Sequence, residues 1–281
     1  MEFIFSKKLF NINFYILVTL AISLVNLVGC TSLIYQPDHY LHADPHAFGI
    51  KFKEYFVNSL DGTKLLAWDM KSKTADPENL ILMFHGNAEN LSSHIFNLTW
   101  MLDHSTDLLI FDYRGYGLSQ GTPYPKGVWE DGQTFLKIAY EKFKAGHYKR
   151  FIIYTQSLGG SIAMSALEKV SWRDEVSLLV LDSTFRSPTD VANEKTKNLL
   201  GWLISSEYTA SQSLSHLTMP LLVIHSFKDP VVNFKFGEDI FLKAPSLKKT
   251  FWRIENGSHG DVFFVNKGEY QTQFLHYLKG L

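Results

Sequence analysis

The stretch FIIYTQSLGG, residues 151–160, decides the fold of this chain. An apolar run that ends in Ser157 and is followed by two glycines is typical of a strand that turns sharply into a helix, with the serine on the turn. Glycines suit such a turn because the strand and helix backbones approach each other closely. The usual pattern is G-x-S-x-G, and Thr155 takes the place of its first glycine. The stretch predicts an elbow on which Ser157 is either an exposed nucleophile or only a helix N-cap.

Motifs elsewhere in the chain add further chemical groups to this elbow. One apolar run leads into a His-Gly-Asn segment at 85–87, a later run is followed by Asp229, and His259 lies in a polar loop after a further run. The chain order Ser157, Asp229, His259 is the order of nucleophile, acid and base in α/β-hydrolases, and it differs from the orders in chymotrypsin and subtilisin. The order therefore predicts a Ser-His-Asp triad.

Each predicted triad residue has a definite role. Ser157 is the nucleophile, which needs a positioned base because an alcohol is a weak nucleophile. His259 is the base, and Asp229 fixes the tautomer of that histidine and stabilises its cation. The alternatives are a polar loop histidine and a turn residue, since Asp229-Pro230 is itself a turn signal. Asp182, which ends the preceding apolar run, is the alternative acid.

The same pattern predicts an oxyanion hole. In α/β-hydrolases, the backbone N–H of the residue after the nucleophile and an N–H from the loop after the third strand bind the developing oxyanion. Here those groups are the N–H of Leu158 and the N–H of Asn87. In the nearby DYRGYG segment, Asp112 and Arg114 either bind substrate charge or, as we expect, form a structural ion-pair network.

The remaining apolar runs predict a sheet. Two strand-like runs flank Asp61-Gly62, which is typical of an antiparallel hairpin. Six shorter runs lack alternation, as strands buried on both faces do. The eight runs span 52–57, 64–70, 80–85, 108–112, 151–154, 176–181, 220–225 and 250–254, and crossover helices fit at 125–145, 158–170 and 233–244. We predict an α/β-hydrolase fold, of the α/β class, with an eight-stranded mostly parallel sheet, helices on both faces and a short lid after the sixth strand.

Composition excludes several classes of function. The chain has 281 residues, of which 46% are hydrophobic, enough for a sizeable core. The net charge is −1 and no basic patch favours nucleic acid. The single cysteine rules out an intrachain disulfide or a cysteine-rich zinc site. Without a dinucleotide motif or a metal-ligand pattern, we expect no cofactor and no metal, and His39, His42 and His46 are expected to be solvated or locally packed.

The first thirty residues resemble a bacterial lipoprotein signal. Lys7 and Lys8 precede an apolar stretch at 14–29, as the charged and apolar regions of a secretory signal do. The sequence LVGC at 27–30 resembles a lipobox, in which cleavage before Cys30 makes this cysteine the lipidated N-terminus. The predicted parts of the chain are a signal peptide at 1–29, a tether at 30–50 and a hydrolase domain at 51–281.

The alternative for this segment is an uncleaved transmembrane anchor, because the apolar stretch approaches the roughly 20 residues that span a bilayer. In that case Lys7 and Lys8 stay on the cytoplasmic side. Both interpretations place the domain outside the cytoplasmic membrane, in a bacterial cell envelope. No aspartate follows Cys30. By resemblance to lipoprotein sorting rules, this favours the outer membrane, with the domain facing the periplasm.

The chain resembles the Bem46-like and ABHD-like α/β-hydrolases, a group that overlaps families described as serine aminopeptidases. The resemblance covers residues 35–281, and its motifs are YQP (35–37), LDGTKL (60–65), FHGNA (84–88), DYRGYGLS (112–119), QSLGG (156–160), IHSFKD (224–229) and GSH (257–259). It implies a serine-nucleophile hydrolase that acts on esters, thioesters or related acyl bonds. Thr155 and Ser226 depart from the group, in which glycine is usual at both positions.

Three functions fit these observations. The leading hypothesis is a membrane-anchored serine hydrolase that cleaves carboxylic esters or thioesters of small acyl or lipid substrates through an acyl-enzyme intermediate. A serine peptidase of the aminopeptidase type is the second hypothesis, and a catalytically inactive binding protein on a hydrolase scaffold is the third. In the predicted lid, the apolar segment 199–204 forms either an acyl-binding wall or ordinary helix packing.

Overall fold

Eight strands form one sheet in the computed structural model, which describes residues 35–197 and 214–281. The strands are β1 Phe52–Asn58, β2 Lys64–Met70, β3 Asn79–Phe84, β4 Thr106–Phe111, β5 Arg150–Gln156, β6 Leu178–Asp182, β7 Leu221–Ser226 and β8 Lys249–Ile254. Each corresponds to one of the predicted apolar runs. The ends differ by at most two residues, as is usual for element boundaries read from sequence.

The sheet topology confirms the predicted fold. The strand order across the sheet is β8-β7-β6-β5-β3-β4-β2-β1. Strand β2 runs antiparallel to both of its neighbours, β1 and β4, and the other neighbouring pairs are parallel. The predicted hairpin therefore lies at one edge of a mostly parallel sheet. Because parallel strands end on the same side, the loops after β3 to β8 meet at one edge, which we call the carboxyl rim.

Helices cover both faces of the sheet. Within the described residues, the α-helices are α1 Leu91–His94, α2 Pro125–Ala145, α3 Leu158–Leu167, α4 Pro188–Lys195, α5 Phe234–Lys243 and α6 Glu269–Lys279. Short 3-10 helices span Pro45–Phe48, Ile95–Asn97, Thr99–Asp103, Arg173–Glu175, Leu214–His216 and Val265–Gly268. Helices α2, α3 and α5 fill the three segments predicted as crossovers. Pro125 starts α2, where proline is well tolerated because the first helical N–H lacks a partner in any case.

Each central strand contributes to two separate cores because successive side chains point to opposite faces. In β3, Leu82 and Phe84 pack in one apolar cluster with residues of α2 and α3. Ile81 and Met83 pack in the other cluster with residues of α1 and α6. Every residue of β3 is buried, so the strand shows no alternation of apolar and polar residues. This double burial explains the continuous apolar runs in the sequence.

The end of the predicted tether lies against the domain. Tyr35 is buried, and Gln36–Pro37 pair in parallel with Ala88–Glu89 in the loop after β3. Helix α4 forms the first part of the segment predicted as a lid. The apolar segment 199–204 and the lipobox with Cys30 lie outside the described residues. Across residues 35–197 and 214–281, no helix is both long and apolar enough to cross a membrane.

Candidate active site

Ser157 occupies the turn between β5 and α3. Its φ of 52° and ψ of −119° lie outside the conformations that non-glycine residues ordinarily adopt. The turn is held from β6, because the N–H of Ser157 donates to the carbonyl oxygen of Asp182 at 2.9 Å and the Thr184 hydroxyl donates to the carbonyl oxygen of Ser157. The sequence stretch at 151–160 thus forms the expected strand, elbow and helix.

The two glycines after Ser157 let α3 approach the sheet. A Cβ on Gly159 would lie 2.4 Å from the carbonyl oxygen of Phe84, and a Cβ on Gly160 would lie 1.9 Å from the Thr184 hydroxyl. Both distances are far shorter than any van der Waals contact. A side chain at either position would push the helix away from the ends of β3 and β6.

Thr155 replaces the first glycine of the usual elbow without disturbing the strand. Its side chain is fully buried, and its hydroxyl donates to the carbonyl oxygen of Val180 at 2.9 Å. The residue stays in register within β5, opposite Leu181 on one side and Phe84 on the other. A buried hydroxyl that finds an acceptor costs little, so the departure at this position is accommodated.

The structure brings Asp229 and His259 together. The Oδ2 atom of Asp229 lies 2.8 Å from the Nδ1 atom of His259. The Oδ1 atom accepts the backbone N–H groups of Val231 and Val232 at 2.8 and 2.9 Å, so the carboxylate is fixed within its own turn. The side chain of Asp229 is fully buried, whereas that of His259 is 19% exposed. The histidine therefore presents part of its ring to solvent while the carboxylate holds the other part.

Histidine neighbours keep Asp229 ionised. Burial acts to raise the pKa of Asp229, but hydrogen bonds from His225 and His259 outweigh it and hold that pKa well below its usual range. The buried His225 ring lies 3.5 Å from Asp229 Oδ2, and its Nε2 atom lies 2.9 Å from the carbonyl oxygen of Val232. His225 thus steadies the turn that carries the carboxylate.

Asp182, the alternative acid, has different partners. Its Oδ2 atom accepts the Tyr154 hydroxyl at 2.6 Å, and its Oδ1 atom accepts the Ser183 hydroxyl at 3.0 Å. Asp182 is buried, and burial raises its pKa. The carboxylate that is hydrogen-bonded to His259 is that of Asp229.

Two polar side chains tie the histidine loop to the elbow. The N–H of Gly260 donates to the Ser183 hydroxyl at 3.0 Å, and the Gln156 amide donates to the carbonyl oxygen of Gly260 at 3.4 Å. The residue before Ser157 is therefore bonded to the residue after His259. Sequence reasoning missed both links, because neither glutamine before the elbow nor serine after β6 belongs to a general catalytic pattern.

The predicted oxyanion residues share a cavity with Ser157. Asn87, Ser157 and Leu158 all line a cavity of about 350 Å³ on the carboxyl rim. A Cβ on Gly86 would lie 3.7 Å from the Cβ of Ser157, so this loop passes directly beside the elbow. The side chain of Asn87 accepts the Tyr116 hydroxyl at 3.0 Å, which fixes the position of its backbone.

His94, at the end of α1, contacts both β5 and the loop after β3. Its Nδ1 atom lies 2.8 Å from Gln156 Oε1, and its Nε2 atom lies 2.9 Å from the carbonyl oxygen of Ala88. Its ring stacks on that of His85 at a centroid distance of 5.2 Å. Burial, together with the neighbouring His85, lowers the pKa of His94 to about 4. No sequence motif marks this residue, because its role depends on contacts between α1, β5 and the loop after β3.

Arg114 forms the expected structural network. Its guanidinium, which is 2% exposed, donates to Asp131 at 2.8 Å and to Asp61 at 2.7 Å. Asp61 lies in the hairpin turn and Asp131 in α2, so the arginine joins these two elements. The nearby Asp112 is also buried, and it accepts the N–H of Leu91 at 2.7 Å.

Local contacts explain the histidines of the predicted tether. His39 Nδ1 lies 2.6 Å from the carbonyl oxygen of Gly117, His42 Nε2 lies 2.8 Å from Asp38, and the His46 ring packs on Phe52. Within residues 35–197 and 214–281, no three His, Cys, Asp or Glu side chains are grouped so as to hold a metal ion.

The sheet order and the elbow define the class of this protein, which has the α/β-hydrolase fold. Solved structures share that fold across nearly their whole length. The esterase Pf2001 of Pyrococcus furiosus superposes with a TM-score of 0.70 at 17% identity, covering 88% of this chain and 97% of the esterase. A soluble variant of the monoglyceride lipase of Saccharomyces cerevisiae superposes with a TM-score of 0.63 at 15% identity, covering 86% of this chain and 98% of the lipase.

Sequence comparison defines the family within that class. The family described as serine aminopeptidase, S33, matches residues 75–212. The membrane protein YNL320W of Saccharomyces cerevisiae is 30% identical over 230 residues, 79% of this chain and 78% of that protein. YfhR of Escherichia coli K12 is 28% identical over 252 residues, 88% of this chain and 86% of YfhR. Bem46 of Schizosaccharomyces pombe is 25% identical over 224 residues, 78% of this chain and 74% of Bem46. The chain belongs to this family of Bem46-like α/β-hydrolases.

Proposed function

We propose that this hydrolase is a serine esterase that cleaves carboxylic esters or thioesters through an acyl-enzyme intermediate. The observation that carries the proposal is the 2.8 Å contact between Asp229 and His259. The loop that contains His259 is hydrogen-bonded to Gln156, the residue before Ser157. A serine on a strained turn, with a carboxylate-oriented histidine in a loop bonded to the same elbow, fits the arrangement that activates an alcohol.

The proposed reaction has two halves. His259 removes the proton from the Ser157 hydroxyl as its oxygen attacks the substrate carbonyl carbon, and the N–H groups of Asn87 and Leu158 stabilise the resulting oxyanion. The tetrahedral intermediate then expels the alcohol or thiol, which takes the proton from His259. In the second half, water loses its proton to His259 and attacks the acyl carbon, and Ser157 regains its proton as the carboxylic acid leaves.

The cavity lining favours an acyl substrate over a peptide with a free amine. Apolar side chains, among them Phe185, Val191 and Val232, line much of it. Among the described residues that line it, the only charged side chain is Lys195. An aminopeptidase needs an acidic group to bind the substrate ammonium, and a lysine repels that cation. Esters and thioesters are therefore the expected substrates, in preference to aminoacyl peptides.

Membrane attachment is part of the proposal. Cleavage before Cys30 and lipidation of its thiol would attach the domain to an envelope membrane, preferentially the outer membrane on its periplasmic side. Two or more acyl chains hold a protein durably, since each buried CH₂ contributes about 0.8 kcal/mol. Mass analysis of the amino-terminal peptide from cells tests this step: a diacylated Cys30 supports it, and an intact Gly29–Cys30 bond contradicts it.

The decisive test of the enzyme is hydrolysis of p-nitrophenyl esters of increasing chain length by the full chain in detergent. We expect turnover and labelling by a fluorophosphonate probe, and Ser157→Ala should abolish both without unfolding the protein. Ser165→Ala, in the same helix α3, is the matched control and should retain both activities. Turnover that persists in Ser157→Ala would exclude the serine mechanism. Folded protein that neither turns over nor reacts with the probe would favour a binding scaffold.

A further inference from the structure

Three large apolar side chains are exposed together on the carboxyl rim. Tyr40 is 77% exposed, Leu41 is 65% exposed and Leu118 is 59% exposed. All three line one cavity of about 370 Å³, distinct from the cavity at Ser157, so they form a continuous patch. We call these three residues the rim patch. Contiguous exposed apolar surface of this kind marks a site of contact with another apolar surface.

The rim patch lies beside the candidate active site. Asn90 lines the cavity of the rim patch, and its side chain donates to the carbonyl oxygen of Tyr40 at 2.7 Å. Asn87 lines the cavity that contains Ser157. Three residues of chain span roughly 11 Å at most, so the linings of the two cavities lie within that distance of each other along this loop. A surface that covers the rim patch therefore also faces the opening at Ser157.

Anchored as proposed, the chain keeps this rim close to a membrane. Gln36 lines the cavity at Ser157, and the predicted membrane segment 14–29 ends seven residues earlier. Seven extended residues reach roughly 25 Å at most. This limit holds whether the chain is lipidated on Cys30 or retains the segment as an anchor. The cavity at Ser157 thus lies within that distance of the bilayer in either case.

We propose that the rim patch docks on the lipid bilayer and directs the cavity at Ser157 toward substrate held in the membrane. Leucine side chains suit the acyl region, and tyrosine suits the interface, where its ring is apolar and its hydroxyl is hydrated. The carboxylate of Asp38 lies near the rim patch, where it accepts a hydrogen bond from the Asn90 amide and pairs with His42. Docking therefore does not require a cationic lipid to pair with this carboxylate. The inference rests on the proposed function for the attachment of the chain to a membrane and for the identity of the substrate.

The first experiment measures docking without catalysis. The full chain is placed in phosphatidylcholine vesicles as Leu41→Cys or as the control Leu247→Cys, and each cysteine is mapped after reaction with a water-soluble maleimide. Leu247 is 100% exposed and precedes β8, at the opposite edge of the sheet. We expect Leu41→Cys to react at least about fivefold more slowly than Leu247→Cys in vesicles. Equal rates would overturn the docking, whatever the activity.

The second experiment measures delivery of substrate. The double variant Leu41→Asp/Leu118→Asp is compared with Leu242→Asp/Leu247→Asp, which adds the same charge at the opposite edge, where both leucines are also exposed. We expect the rim variant to lose about tenfold in hydrolysis of p-nitrophenyl palmitate held in the vesicles and to retain its rate on water-soluble p-nitrophenyl acetate. Equal rates on palmitate for the two variants would overturn the proposal. A parent chain that docks but cleaves neither ester would contradict the proposed function alone.

Discussion

At the scale of single residues, the candidate site combines backbone strain with tight hydrogen bonding. Ser157 and Ser183 are non-glycine residues, each with a φ of 52°. Each is held by neighbours: the N–H of Ser157 donates to Asp182, and the Ser183 hydroxyl accepts the N–H of Gly260. Strained residues persist only where their surroundings fix them, and they cluster at functional sites. The strain at these two serines therefore supports a site at this point of the rim.

Substitution of the two buried carboxylates should lower turnover to very different extents. Asp229→Asn should lower kcat on p-nitrophenyl butyrate by about 10⁴-fold, because the amide favours the wrong tautomer of His259. Asp182→Asn should retain kcat within about tenfold, since its partners are Tyr154 and Ser183. Steady-state kinetics on the two folded variants makes the comparison. The reverse order of effects would identify Asp182 as the acid.

At the scale of elements, the sequence predicted strands and helices better than the contacts between loops. The strands were recognisable because burial on both faces requires continuous aliphatic runs, and β5 with its following glycines marked the elbow. The pairing of Gln36–Pro37 with Ala88–Glu89 could not be predicted, since two-residue strands carry no periodicity. The choice between Asp229 and Asp182 also depended on side-chain directions, which only the packed loops determine.

Helix α1 illustrates a contact between elements with a measurable consequence. His94 bonds α1 to the elbow through Gln156, and its pKa is lowered to about 4, against about 6.5 in an unfolded chain. The unfolded chain therefore binds more protons between these values, and the free energy of unfolding should fall as the pH drops from about 6.5 to 4. Urea unfolding across this range should show a smaller fall for His94→Gln than for the parent.

An exposed histidine supplies the control for this measurement. His147→Gln removes a histidine ring that is exposed to solvent, so it controls for the loss of one histidine away from the site. A His94→Gln variant whose free energy of unfolding falls as steeply as that of the parent would show that His94 does not couple protons to folding.

At the scale of the whole molecule, the site and the supporting framework occupy different parts of one sheet. The loops after β3, β5, β7 and β8 carry the candidate catalytic groups Asn87, Ser157, Asp229 and His259. The hairpin edge is joined to helix α2 by the Arg114 network, which contacts Asp61 and Asp131. Through Arg114, the DYRGYG motif therefore serves to hold the hairpin on the domain.

Arg114→Met tests whether this network is structural. The substitution leaves Asp131, which is fully buried, without its cation, so the free energy of unfolding should fall by about 3–5 kcal/mol. Adding Asp131→Leu should restore part of that loss, because an apolar pair tolerates burial that a lone carboxylate does not. Urea unfolding of both variants measures the effect. The KM values for neutral and anionic esters should both stay near those of the parent. If Arg114 bound substrate charge, KM would rise for the anionic ester alone, and the second substitution would not restore stability.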